Sequence, residues 1–228
     1  MVGGARRAYA DAVTARLPLF PLGTVLFPGV PLPLHVFEER YRSLVRDLLT
    51  APDAERVFGV VAIREGREVG EEGITALHGF GCVARLRRVE PYADGRFDVV
   101  ATGAQRFRLL DLDGSRPYLS GSVELLGEPA GASAATVAES VRGLFGSYRR
   151  ALGSDSDEAL PADPAVLSYL VAAAAVLDLA EKQSLLEAPD ATERLRHEVR
   201  LLRRETALLG LLPSLPGVEL TRVPMSPN

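Results

Sequence analysis

"LFPLGTVLFPGVPLPLHVFEERYRSL", residues 19–44, decides how this chain is read. Its prolines at 21, 28, 31 and 33 each lack an amide donor and bias the preceding residue toward extended geometry. The segment therefore reads as two extended apolar pieces broken by Pro21 and Gly23, then a turn, then a third extended piece. Pro28-Gly29 suits the two central positions of a type II turn, where the second residue needs a positive φ. A helix is expected from about Glu38, because Phe37, Tyr41, Leu44, Val45 and Leu48 recur at spacings of three and four. That spacing puts all five in the core, with Glu38 and Arg42 as an i,i+4 pair on the outer face. The apolar runs are interrupted and lead into patterned globular sequence, so the stretch is scaffold rather than a leader or a membrane segment.

Outward from it, "RVFGVVAI" (56–63) reads as a strand buried on both sides, and "REGREVGEEG" (64–73) as a polar loop. From 80 to 126 alternation dominates. Cys82, Ala84 and Leu86 fall on one face, and so do Phe97, Val99 and Ala101. Asp94-Gly95 is a hairpin signal between them. The result is an antiparallel meander. After "GEPAGASA" the pattern is helical. Ser133 and Asp163-Pro164 are N-terminal signals, and "VLSYLVAAAAVLDLA" (166–180) reads as one buried helix. A last helix over 190–209 has Asp190 and Glu193 at capping-box spacing and Gly210 as its C-cap.

The expected class is α+β: a β-rich pseudo-barrel with one or two helices, then a helical subdomain. The divisions are a flexible N-terminus at 1–15, the β-rich part at 16–126, a linker at 127–132, helices at 133–210 and a proline-rich tail at 211–228.

Composition narrows the function. Apolar residues make up 47% of 228, enough for a substantial core, and the net charge of −4 gives no overall pull toward nucleic acid or anionic membrane. Lys182 is the only lysine, so a phosphate-binding Gly-Lys-Ser/Thr loop cannot exist in this sequence. "GFGCVA" (79–84) matches a loose dinucleotide pattern, but period-two alternation follows it and leaves no helix N-terminus for a pyrophosphate. Lys182 and Ser184 are two apart on a helix and do not face each other. His35, His78 and His197 are scattered, and Cys82 stands alone, so no metal-ligand spacing exists. No cofactor is expected. No apolar run is long enough to span a bilayer, and a single cysteine fits a cytoplasmic location. One charged feature stands out. Arg85, Arg87, Arg88, Arg96, Arg106 and Arg108 fall in the meander, against Glu90, Asp94 and Asp98.

Three blocks in this order resemble the N-terminal, substrate-binding domain of the ATP-dependent protease Lon. They are "LPLFPLGTVLFPGVPLPLHVFEERYRSLVRDLL", "GCVARLRRVEPYADGRFDVVATGAQRFRLL" and "EKQSLLEAPDATERLRHEVRLLRRE". The resemblance covers roughly residues 16–210. It implies a PUA-like β subdomain followed by helices, and a role in recognising substrates or assembling a complex. A Lon-like domain in cereblon, a ubiquitin-ligase receptor, docks another protein. The sequence ends after the helices, without the ATPase and Ser–Lys protease domains, so the resemblance implies a non-enzymatic module of the stand-alone kind.

The expected partner is thus a polypeptide segment or a docked protein, with neither nucleic acid nor membrane expected. The candidate surface is the Pro28-Gly29 turn together with Glu38, Arg42 and Arg46 on the outer face of the adjoining helix. The alternative is an RNA-binding face built from Arg85, Arg87, Arg106 and Arg108.

Overall fold

Strands come first and helices last in a computed structural model that describes residues 13–66, 74–154 and 159–211. The strands are β1 (Thr14–Leu22), β2 (Pro31–Val36), β3 (Val57–Gly66), β4 (Ile74–Pro91), β5 (Phe97–Asp113) and β6 (Ser120–Leu125). Helix α1 (Glu39–Thr50) and a single 3₁₀ turn (Asp53–Glu55) lie between β2 and β3. Helices α2 (Ala134–Ala151), α3 (Pro164–Ala174), α4 (Leu179–Glu187) and α5 (Ala191–Leu211) follow the sheet. The class is α+β. The expected flexible N-terminus (1–15) falls mostly outside the described residues, as do nearly all of the proline-rich tail and part of the 64–73 loop.

The sheet runs β2-β5-β4-β3-β1-β6, and a further β5–β6 pairing closes it into a barrel with β2 laid along the first half of β5. Strands β4, β5 and β6 form the antiparallel meander, turned at Asp94-Gly95, where Gly95 has φ +83. Only β1 and β3 pair in parallel, Leu19 opposite Gly59, because α1 carries the chain back between them. The expected break at Pro21 is absent, and β1 runs through to Leu22. Leu19 N–H donates to Leu119 O (2.8 Å) on the β6 side. Two residues on, the Pro21 nitrogen faces that same side, where β6 no longer pairs, so no ladder bond is lost.

Cys82, Ala84, Leu86, Phe97, Val99 and Ala101 are all buried in one core with Tyr41, Leu44, Val45 and Leu48 of α1. Tyr41 stacks on Phe20, ring centroids 4.0 Å apart. Phe37 does not join them. It is 49% exposed, because α1 begins only at Glu39 and Phe37 precedes the helical period. The pair expected between Glu38 and Arg42 is also rearranged. Glu38 is the N-cap residue and pairs with Arg40 at 2.8 Å, while Arg42 pairs with Glu39 at 3.0 Å.

A second core fills the helical half. Ala138, Val141, Phe145 and Tyr148 of α2 meet Leu167 and Val171 of α3 and Leu195 and Leu202 of α5. The single helix expected over 166–180 is two. Helix α3 ends at Ala174, and Asp178 starts α4 through a full capping box with Glu181. A carboxylate that would be costly inside a continuous buried helix instead satisfies a helix N-terminus. At the other end Gly210 is no C-cap: α5 continues through it to Leu211, without the left-handed φ that such a cap requires.

Candidate functional site

The Phe27–Val30 turn is built as its sequence demands. Val30 N–H donates to Phe27 O (3.2 Å), and Gly29 sits at φ +80. It is then fixed to the barrel. Gly29 N–H donates to Gly103 O on β5, and Gly103 N–H donates to Val30 O, both at 2.9 Å. The approach is so close that a Cβ on Gly103 would collide with the Phe27 carbonyl.

Helix α3 runs past this turn. Asp163 caps it by accepting from Val166 N–H (2.9 Å), and Pro164 occupies its first turn. One face of α3 goes into the helical core. The other leaves Val166 52% and Leu170 36% exposed. Between turn and helix lies an apolar groove of about 380 Å³, lined by Pro28, Gly29, Val30 and Pro31 on one side and Val166, Leu170, Ala173 and Ala174 on the other. Its base is the junction of the two halves, where Val25, Phe27 and Ala62 pack against Tyr169, Ala172, Leu185, Leu186 and Leu201.

A buried charge cluster ties that junction. Arg106 of β5 is 2% exposed. Its Nε donates to Glu128 Oε1 (2.6 Å), and its Nη1 donates to Leu186 O (2.7 Å) and Ala188 O (2.6 Å). Arg194 of α5, fully buried, donates from Nε to Leu185 O (3.0 Å) and from Nη1 to Ser168 Oγ (3.0 Å). Its guanidinium lies 4.0 Å over the Tyr169 ring and reaches the same Glu128 at 3.5 Å. Burial pushes the Tyr169 hydroxyl well above its usual range.

The surface residues expected from sequence separate into three places. Pro28 and Gly29 line the apolar groove, but Glu38, Arg42 and Arg46 do not. Glu38 borders a smaller hollow of about 180 Å³ with His35, Phe37 and Tyr41. Arg42 is latched to the β4–β5 hairpin, donating from Nε to Gly95 O (2.7 Å) and from Nη2 to Asp94 O (3.1 Å). Arg46 pairs with Glu39 at 2.8 Å. The four arginines of the alternative do not form one face either. Arg106 is buried and fully engaged, and Arg108 pairs with Glu124 across β5 and β6. Arg85 donates to Ala54 O (2.6 Å), and Arg87 is exposed without a hydrogen bond or ion pair among the described residues.

Cys82 is fully buried, and burial pushes its thiol up to about 12. Lys182 Nζ lies 3.4 Å from Ala173 O while Ser184 Oγ donates to Glu181 O, so the two serve separate carbonyls. His35 Nδ1 contacts Asp98 (2.7 Å), and His197 lies 3.4 Å from Ser184. No group of three or more possible metal ligands occurs among the described residues. None of the described helices is long and apolar enough to cross a membrane.

The family model of the ATP-dependent protease La (LON) substrate-binding domain matches residues 16–204. The chain belongs to the LON substrate-binding domain family. Lon protease 2 of Herpetosiphon aurantiacus is 32% identical over 209 residues, covering 88% of this chain and 25% of that protein. Lon protease of Escherichia coli K12 is 29% identical over 201 residues, covering 85% and 25%. The chain thus spans about a quarter of the length of these relatives. A Lon N-terminal domain protein from Xanthomonas campestris shares the fold at a TM-score of 0.58 and 25% identity, covering 87% of this chain and 99% of that one. The N-terminal domain of Mycobacterium avium complex Lon protease superposes at 0.63 with 21% identity, covering 85% and 98%. What this chain shares with the Lon proteases is the substrate-binding domain.

Sequence reading missed the α3 wall of the groove and the two charged side chains that α5 buries, Arg194 and Glu198. A signal was present for each. "VLSYLVAAAA" is apolar all round, which leaves a second face beyond the one a core needs. Arg194 and Glu198 stand four apart and in line with Leu195, Leu201 and Leu202, which places charge on the buried stripe of α5.

Proposed function

We propose that this chain is a non-enzymatic module that binds polypeptide, holding an exposed apolar segment in the groove between the Phe27–Val30 turn and α3. The observation that carries the reading is the groove itself: apolar on both walls, about 380 Å³, and walled by the β half on one side and the helical half on the other. A few apolar side chains of an extended or helical segment fit such a space, and burying them there supplies the driving force. Both walls are pre-formed, one by the Gly103 clamp and the other by a capped helix, so little ordering opposes binding. The family's substrate-binding description agrees with this reading. A cytoplasmic setting belongs to the same proposal and suits a chain whose single cysteine is a buried thiol.

The test is titration of a dye-labelled apolar peptide against the protein and two variants, followed by fluorescence anisotropy. Leu170→Asp puts a charge on the groove wall at an exposed position and is expected to weaken binding by about tenfold or more. Leu208→Asp changes an exposed leucine of α5 outside the groove lining and should leave binding unchanged. Equal loss in both variants, or none in either, refutes the groove as the site.

A further inference from the structure

A second surface has the opposite character from the apolar groove. Strand β3 pairs with β4 only as far as Val57, opposite Arg85. One more bond follows, from Leu86 N–H to Arg56 O (2.9 Å). Beyond it, Arg88 to Pro91 pair with β5 on one side, and no strand runs along the other side among the described residues. This open edge is one wall of a groove of about 500 Å³. Its other wall is the end of α1 and the 3₁₀ turn, through Leu49, Asp53 and Ala54.

The side chains on this edge are set by an irregularity. The β4–β5 register shifts between Leu86 and Arg88. Leu86 is buried and Val89 packs on the same core, while both residues between them, Arg87 and Arg88, point out and are exposed. Two arginines therefore stand in succession where strict alternation would give one. Arg85 and Arg56 join them on the groove wall. Arg85 is held by Ala54 O at 2.6 Å, and Arg56 by Ala51 O at 2.9 Å and by Asp53 at 2.6 Å. Arg88 pairs with Glu90, and Arg87 has no ion partner among the described residues. Among the described residues Asp53 is the only carboxylate in the groove lining, and Glu90 stands beside the groove on Arg88, so four arginines outnumber two acids in a chain whose net charge is −4.

We propose that this groove takes an acidic, extended polypeptide segment, which adds as a strand beside Arg87–Glu90 in the sheet position that β3 vacates. The open main-chain edge supplies affinity without sequence preference, and the arginines select for Asp and Glu. Leu49 offers a patch for an apolar residue alternating with the acids. A second copy of the same edge is repelled, since it presents the same arginines. A nucleic acid is favoured less. No described aromatic lines the groove to stack a base, and the strand edge offers nothing that a nucleotide backbone can pair with in register. The proposal rests on the polypeptide-binding reading for the class of its occupant, but not on the apolar groove.

The experiment is anisotropy with a dye-labelled peptide of alternating Glu and Val, its Gln-for-Glu counterpart, and a single-stranded RNA of equal charge. Each is titrated with the wild-type chain, Arg87→Glu and Arg203→Glu. The Glu peptide is expected to bind, to weaken about tenfold or more in Arg87→Glu, and to weaken as salt rises from about 0.1 M to about 0.5 M. Arg203→Glu, on the exposed face of α5 away from the groove, should leave it unchanged. Arg87 makes no hydrogen bond or ion pair among the described residues, so its reversal should leave the fold intact, which the melting temperature checks. Binding of the apolar peptide to Arg87→Glu, unchanged from wild type, keeps the two sites distinct. Equal affinity for the Gln peptide, indifference to Arg87→Glu, or tighter binding of RNA with the same Arg87 dependence overturns the proposal.

Discussion

Arg106 on β5 donates from Nη1 to the carbonyl of Leu186 at the end of α4, 2.7 Å away, joining the barrel to the helices through a buried guanidinium. The same nitrogen serves Ala188 O, and Nε holds Glu128. Truncation would leave a carboxylate and two carbonyls short of a donor at the junction. Arg106→Ala is expected to cost about 3–5 kcal/mol, the usual range for breaking a buried pair from one side. The check is the urea midpoint by circular dichroism. Arg106→Lys should recover only part of the loss, since one ammonium cannot reproduce the planar fork that reaches Glu128, Leu186, Ala188 and Gly127 together.

Glu198 predicts an unusual pH dependence. It is 1% exposed, and neither carboxylate oxygen has a hydrogen-bond partner among the described residues. Burial raises its pKa well above the ordinary carboxylate value, opposed only by the nearby Arg194 charge. The folded state therefore binds the proton more tightly than the unfolded state. The contribution of this group to stability is fullest below its unfolded pKa and is lost as pH rises toward the folded value. Glu198→Gln should melt higher than wild type at pH 8, and the gap should close as pH falls toward 4.5. A constant gap across that range would show that Glu198 does not titrate as described.

On α1, Arg42 and Arg46 look alike in sequence and should behave differently. Arg42 is tied to the main chain of the β4–β5 hairpin at Gly95 and Asp94, whereas Arg46 meets only an exposed glutamate. Arg42→Ala should cost about 1–2 kcal/mol through the lost charged hydrogen bonds. Arg46→Ala should stay within about 0.5 kcal/mol. Paired denaturation curves decide it, and equal effects would argue against the latch.

The turn that walls the apolar groove offers a graded pair of substitutions. Gly29→Ala keeps the clamp but forces a side chain into the left-handed region, at a cost of about 1–2 kcal/mol. Gly103→Ala drives a Cβ into the Phe27 carbonyl and must displace the turn itself. Apolar-peptide affinity should fall further in Gly103→Ala than in Gly29→Ala, measured well below each variant's melting temperature.

Much of the fold was legible because local chemistry and tertiary context agree there. Alternation found the meander, Asp94-Gly95 found its hairpin, and Asp163-Pro164 found the start of α3. Reading failed where a neighbour decides. Pro21 marks a strand end only if its nitrogen faces a partner, and that depends on where β6 stops. Asp178 ends a helix only because Glu181 completes its cap. The Pro28-Gly29 wall of the candidate groove could be read from the turn it makes. The α3 wall was signalled only as a second apolar face, because which face of such a helix stays open depends on what packs against the other. Arg106 lies in a strand of alternating arginines and gives no local sign that it, and not Arg108, is the buried one.

The prolines of β2 have a consequence for how this molecule behaves at high concentration. Strand β2 pairs with β5 at every position from Pro31 to Val36, and a proline cannot donate to that ladder. Pro31 and Pro33 must therefore turn their nitrogens to the free side, where an incoming chain would look for amides. Of the outward positions 31, 33 and 35, only His35 has one to give. Two copies cannot zip together along this rim, so the edge of the sheet that β2 leaves uncovered does not serve as a template for another copy of the same strand.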